Sequence, residues 1–172
     1  DNFIKGTGSL IVPANKKVTI LIDNAYETMG YPEMLVSGGK DARIQAMYAE
    51  NMIVKAKAPK GNRNEIDGKY LVGIKDIFIP DGGKNRLFKP SYIRAFRYIQ
   101  VDIETKNMPL TLENYVNVDC HAPIERKAVF EANHPLSAWI MDAGWRTVSI
   151  CAQDMLLSDA AYEQMQYTGD SR

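Results

Sequence analysis

A chain of 172 residues that is 45% hydrophobic and 24% charged is long enough for one generous domain or a domain with an appendage, and its composition excludes disordered and collagen-like classes. Its 21 Lys and Arg balance 21 Asp and Glu, so no overall field gathers nucleic acid or an anionic membrane, and no nucleic-acid partner is expected. No apolar run approaches the roughly 18–20 residues that cross a bilayer, which speaks against a membrane partner as well.

The opening residues, Asp1-Asn2-Phe3-Ile4-Lys5-Gly6, lack the basic start and apolar core of a signal peptide, although a leader could precede them, so the compartment stays open. From there to about Asp119 the punctuation is that of a β-protein. Ser9 to Pro13 leads into Lys17-Val18-Thr19-Ile20-Leu21-Ile22-Asp23, where Val18, Ile20 and Ile22 share one face. After Gly30-Tyr31-Pro32, Glu33 to Val36 reads as a separate strand, and Ser37-Gly38-Gly39-Lys40 reads as a hairpin turn. Ala42 to Glu50 then alternates Ile44, Ala46 and Tyr48 against Arg43, Gln45 and Met47, as a strand with one covered face does.

Lys60 to Lys69 interrupts the pattern with a polar, glycine-flanked loop too long for a simple hairpin. Its Asn62, Arg63, Asn64, Glu65 and Asp67 either hydrogen-bond sugar hydroxyls or are solvated padding. Strands resume at Asp76 to Pro80, turn at Asp81 to Asn85, and continue from Arg86 to Pro90. Ala95 to Thr105 is the clearest strand, with Ile99, Val101 and Ile103 on one face and Tyr98, Gln100, Asp102 and Glu104 on the other. After a turn at Asn107-Met108-Pro109 the last strand runs from Leu110 to Asp119. Short strands divided by Gly, Pro and Asn turns predict an antiparallel β-sandwich of the jelly-roll kind.

The regime changes near Asn133-His134-Pro135, where Asn133 or His134 caps a helix and Pro135 takes its first position. Leu136, Trp139, Ile140, Ala143, Thr147, Ile150 and Asp154 keep helical spacing, which predicts a helix to about Leu157. That stripe has no helical partner elsewhere in the sequence, so its partner is expected to be external. The expected organisation is a sandwich over residues 1–122, a linker over 123–133 and the start of a second domain over 134–172.

Cys120 and Cys151 are far apart, form no CxxC, and are joined only by His121 and His134 as further metal-binding candidates. Two buried free thiols are the expectation, with no metal site, because four convergent ligands are missing. The closing run Tyr162-Glu163-Gln164-Met165-Gln166-Tyr167-Thr168-Gly169-Asp170 places a glutamate, an aromatic and an aspartate within a few turns of one another if helical. Glycoside hydrolysis uses two carboxyl groups, and an aromatic can stack on a sugar's apolar face. Exposed polar residues near a helix end are equally the ordinary solvated kind.

Taken in order, several segments resemble bacterial α-L-rhamnosidases. Gly30-Tyr31-Pro32, Ser37-Gly38-Gly39, Tyr48-Ala49-Glu50, Lys60 to Lys69, Phe78 to Lys84 and Phe96 to Gln100 resemble that family's concanavalin-like sandwich. Trp145-Arg146-Thr147, Cys151 to Asp154 and Tyr162 to Arg172 resemble the start of its six-hairpin catalytic domain. The resemblance implies a mainly β fold, an antiparallel sandwich followed by the first helix or two of an (α/α)6 barrel. It implies an inverting hydrolase of terminal α-L-rhamnosides that needs no cofactor and no metal. Its partners would be a rhamnose-containing carbohydrate and the remainder of its own barrel.

On the same resemblance Glu163 matches the general acid, Tyr167 the sugar-facing aromatic and Asp170 a substrate-binding carboxylate. The family usually has Asp-Cys-Pro shortly before the glutamate, where this chain has Ser158-Asp159-Ala160-Ala161. Ser158 stands near the usual aspartate position, and Asp159, one step out, is the candidate replacement as a sugar ligand. The family's general base lies later in the barrel than Arg172, so the chain by itself is expected to be inactive. The alternative functions are a non-catalytic carbohydrate-binding module and a structural sandwich that buttresses a barrel.

Overall fold

The computed structural model describes residues 3, 5–55 and 61–170. The chain divides into two compact units, Asp1–Val118 and Asp119–Arg172. The first is mainly β: strands β1 (Leu10–Val12), β2 (Lys17–Gly38), β3 (Arg43–Ala49), β4 (Ile74–Phe78), β5 (Arg86–Phe88), β6 (Arg94–Glu104) and β7 (Leu110–Asp119). They form one antiparallel seven-stranded sheet in the order β1-β7-β2-β6-β3-β4, with β5 added to β2.

The predicted strands at Lys17–Asp23 and Glu33–Val36 are one continuous strand of 22 residues. The first half of β2 pairs with β6 from Lys17↔Glu104 to Gly30↔Arg94, and its far end pairs with β5 from Met34↔Phe88 to Val36↔Arg86. Gly30-Tyr31-Pro32, which reads as a break, is the handover from β6 to β5. The missing N–H of Pro32 falls between those ladders, where a strand tolerates proline.

Both halves of the folded sheet fill one core. Val12, Met34, Val36, Phe88, Leu110 and Leu112 come from one side, and Ile22, Ile44, Ala46, Phe96, Ile99, Val101 and Ile103 from the other. Phe78 of β4 and Phe88 of β5 stack across it with centroids 4.9 Å apart. Two sheet faces that share an apolar interior are a β-sandwich. The face read as apolar is buried, with Ile44, Ala46 and Tyr48, and Ile99, Val101 and Ile103, all inside; Met47 and Tyr98 of the face read as open are buried as well.

The turns are where local reading misleads. Ser37 to Lys40 is not a hairpin, because β3 pairs with β6 and β4 and not with β2. Gly38 and Gly39 both have positive φ, and their N–H groups bond to the carbonyls of Gly83 and Pro109, so the turn carries the chain between sheet halves. The Asp81–Asn85 turn has the same task between the unpaired β4 and β5. Its Asp81 carboxylate accepts from Gly83 N–H and three times from Arg86, and that pairing holds Asp81 down at about 2.

A bulge bends β2 between Asp23 and Thr28, where four residues stand opposite Arg97 alone. Ala25 takes φ 65°, and its N–H is held by Asp23 Oδ1 at 2.8 Å. Just beyond the bulge, β7 crosses so closely that a Cβ on Gly30 would lie 2.4 Å from Val118 O. Both atoms belong to paired strands and neither can retreat alone. Gly30→Ala is therefore expected to destabilise the sandwich by about 3 kcal/mol, read as a lower urea midpoint. An unchanged midpoint would contradict this packing.

The second unit carries one helix, α1 (Ser137–Cys151), shorter than the predicted run to Leu157. Pro135 stands before the helix and not in it, and Leu136 is the cap, its N–H directed to His134 Nδ1 at 3.2 Å. The helix stops because Ala152 turns to extended backbone, donates to Val148 O and accepts from Ala122 N–H at 2.7 Å. Ala152 then pairs with Leu156 across a short reversal. Nothing in the local propensity of Gln153-Asp154-Met155 marks that stop; a backbone partner outside the helix captures the end.

The helix is also rotated from the expected face. Ser137, Met141, Trp145 and Ser149 are half-buried at four-residue spacing, while Leu136, Trp139, Ile140 and Thr147 of the predicted stripe are exposed. Trp139 is 68% exposed and Ile140 54%, so the start of the predicted stripe is uncovered, whereas Ile150 near the helix end is half-buried. Among the described residues no helix is long and apolar enough to cross a membrane.

Candidate functional site

Two places carry the residue types the sequence singles out: the polar loop on the sandwich and the closing loop of the second unit. Of the first, Lys60 lies outside the described residues. The rest of that loop is anchored, not loose. Asn62 Oδ1 accepts from Asn64 N–H at 3.0 Å, and Lys69 Nζ donates to Asn62 O at 2.9 Å and Glu65 Oε2 at 3.4 Å.

The loop is also tied to the sheet. Tyr98 Oη donates to Arg63 O at 2.6 Å, and Arg97 Nη1 donates to Asn64 Oδ1 at 2.7 Å. The same guanidinium grips Asp23 with two parallel bonds of 2.8 and 2.9 Å. One arginine thus holds the β2 bulge and the loop together. Beneath the loop Tyr98, Met47, Ala49, Met52 and Leu71 form a second small core on the outer face of the sheet. Tyr98, which reads as a polar-face residue, is fully buried there. Of the five side chains proposed for sugar hydroxyls, Asn62, Asn64 and Glu65 are engaged inside the protein.

A third cluster escapes sequence reading. Arg94 forms a bidentate pair with Asp76 at 2.7 and 2.8 Å inside one end of the sandwich, beside the Tyr48 ring. Tyr115 Oη and Asn117 Oδ1 are buried without a hydrogen-bond partner among the described residues, and Tyr48 Oη is buried close to the Asp76 carboxylate. Burial first, and then the nearby Asp76 charge, push the Tyr48 hydroxyl far above its ordinary range. The only sequence signal was alternation that brought polar residues to inward positions.

The closing loop holds Asp159, Glu163, Tyr167 and Asp170, and it is not helical. The expected helical spacing of Glu163, Tyr167 and Asp170 is replaced by consecutive turns. Gln164 adopts φ 46°, a left-handed geometry that ends the first turn, and its N–H returns to Asp159 O at 3.0 Å. Ser158 closes the loop: its N–H donates to Met165 O at 2.8 Å and its Oγ accepts from Tyr167 N–H at 3.1 Å. Asp170 N–H folds back on Tyr167 O at 3.1 Å.

Asp159 lies at the centre of this loop. Its Oδ1 faces the N–H groups of Ala161, Tyr162 and Glu163 at 2.8, 2.5 and 3.3 Å. Glu163 and Asp170 are exposed, and Tyr167 is 42% exposed. The geometry therefore joins Asp159 to Glu163 and Ser158 to Tyr167 through the backbone, and it leaves the Glu163 carboxyl on the surface.

Elsewhere in this unit an apolar cleft of about 590 Å³ lies between α1 and the extended segment 125–128. Ile140, Met141, Trp145 and Val148 line it, and the Arg126–Asp142 pair at 2.6 Å ties its walls together. Cys120 is half-buried and Cys151 buried, both as thiols, so the expectation of two buried thiols is met by one. Among the described residues no three His, Cys, Asp or Glu side chains converge as a metal would need.

No family model matches the chain. No curated protein matches it either. Solved structures do. The fold is that of a rhamnosidase-related β-sandwich domain. The particular neighbours are a GH78 family rhamnosidase of Bacillus sp. GL1, with a TM-score of 0.71 and 18% identity over 94% of this chain, and a rhamnosidase from Klebsiella oxytoca solved with rhamnose bound, with 0.68 and 15% over 93%. The chain spans 16% of the first neighbour and 32% of the second. At these identities the likeness is one of fold.

The latch on the sandwich loop is expected to respond to pH. The paired bonds from Arg97 hold the Asp23 carboxyl below its ordinary value, against a smaller opposing effect of burial, and Ala25 N–H adds to them. A carboxylate depressed in the folded state contributes stability above its unfolded value, near 4, and loses it as pH falls below that. Amide exchange of residues 61–69, corrected for intrinsic rates, is expected to quicken below about pH 4. Arg97→Lys, which cannot form the fork, should quicken it at neutral pH. Unchanged exchange in both would refute the latch.

Proposed function

We propose that this chain is the sandwich and first catalytic-domain segment of an inverting α-L-rhamnosidase-type glycoside hydrolase, with Glu163 as its general acid. The observation that carries the reading is the fold likeness to two rhamnosidases over 93% and 94% of the chain. It is supported by the order of the resembling segments and by a closing loop that exposes Glu163.

In this reading the Glu163 carboxyl, protonated, gives its proton to the glycosidic oxygen as the bond to the anomeric carbon breaks. A neutral carboxylic acid at working pH needs an environment that disfavours its charge. The exposed Glu163 acquires that environment only when further protein closes over the loop. Tyr167 offers its ring to the apolar face of the sugar, and Asp170 accepts hydrogen bonds from hydroxyls. An inverting mechanism also needs a carboxylate about 6.5–9.5 Å from the acid to activate water. In this reading that base is supplied by a further barrel segment, and the isolated chain is expected to be inactive. The uncovered stripe of Leu136, Trp139 and Ile140 is the surface on which further helices would pack.

The test is Glu163→Gln in the full-length polypeptide. Turnover of a rhamnoside with a poor leaving group should fall by roughly 10²–10⁴-fold, with KM little changed. An activated aryl rhamnoside, whose leaving group needs less help, should lose much less. Near-wild-type turnover of both substrates would remove Glu163 from the role.

A further inference from the structure

In the closing loop Asp159 turns one carboxyl oxygen onto the backbone. Its Oδ1 sits over three successive backbone N–H groups, those of Ala161, Tyr162 and Glu163. Its own carbonyl receives the N–H of Gln164, the residue with φ 46°, at 3.0 Å. Gln164 Nε2 donates in turn to Ala160 O at 2.9 Å. The turn that carries Glu163 is thus closed from both ends by one residue.

The base of the loop is closed independently. Ser158 binds Met165 O through its N–H and Tyr167 N–H through its Oγ, at 2.8 and 3.1 Å. A serine suits this place because its short hydroxyl reaches a neighbouring backbone N–H. An aspartate one residue later suits its place because a carboxylate accepts several N–H bonds at once and is strengthened by its charge. Without these two side chains, a stretch with no helix, no strand and a left-handed residue has little to fix the direction in which Glu163 leaves the backbone.

We infer that Asp159 is a positioning residue that sets the orientation of Glu163, with Ser158 fixing Tyr167 in the same loop, and that Asp159 is not a ligand of the sugar. This rests on the proposed role of Glu163. It reverses the sequence-based expectation that Asp159 replaces a sugar-binding aspartate. The carboxyl oxygen facing the amides belongs to the turn, and the sugar-facing acceptor of this loop is left to Asp170.

Two arms test the inference. In the first, this chain is studied by NMR while pH is lowered. The amide protons of Ala161, Tyr162 and Glu163 should shift together with one common midpoint, and Asp159→Asn should abolish that shared shift. Independent or absent shifts would overturn the clasp whatever the enzyme does. In the second, the full-length polypeptide is assayed with an aryl α-L-rhamnoside. Asp159→Asn, which keeps an acceptor oxygen, should retain kcat within a few-fold. Asp159→Ala should lower kcat at least tenfold with KM unchanged and displace the acidic limb of the pH–rate profile.

A sugar ligand would behave otherwise: both variants would raise KM severalfold and leave that limb in place, which overturns the inference while the proposed function stands. Loss of stability with an unmoved pH profile would equally overturn it. A wild-type polypeptide without turnover would overturn the proposed function and this inference with it, a result the NMR arm cannot mimic.

Discussion

The structure of the first unit depends on one strand, β2, that serves three others, β6, β5 and β7. β2 is 22 residues long, and its halves bond to different strands, β6 on the early part and β5 on the late part. Because both halves of the folded sheet must turn their apolar faces to one interior, the strand has to bend without losing its ladder. The bend is made by the extra residues between Asp23 and Thr28, by the left-handed Ala25, and by Gly30, over which β7 passes. The Phe78–Phe88 stack and the Ile99-Val101-Ile103 face close the interior that results.

That bulge also reaches outward. Asp23, which holds Ala25 N–H, is gripped by Arg97, and Arg97 extends to Asn64 in the polar loop. Tyr98, next in sequence, passes to the same loop and seals it over a small apolar cluster. The distortion that bends the strand therefore also anchors the loop.

What the sequence made legible was what depends on near neighbours. Alternation at Ile44-Ala46-Tyr48 and at Ile99-Val101-Ile103 marked the buried face correctly, because period two is fixed by the pleat itself. The antiparallel sandwich followed from the same signal. Pairing was less legible: Ser37-Gly38-Gly39-Lys40 has the chemistry of a hairpin, yet its glycines bond to Gly83 and Pro109, more than 40 residues away. The end of α1 was hidden for the same reason, since Ala122 captures the carbonyl of Ala152 from outside the helix. In the closing loop helical spacing was the wrong geometry, since consecutive turns replace the helix. Only the coordinates reveal that Ser158 and Asp159 turn their side chains onto backbone N–H groups.

The central claim joins a fold to a reaction, and the released sugar reports on it most directly. The full-length polypeptide should be mixed with an α-L-rhamnoside and the first-formed product followed by proton NMR before mutarotation. The account predicts that β-L-rhamnose appears first, as inversion at the anomeric carbon requires. Initial release of the α-anomer, or no release of rhamnose at all, would contradict it.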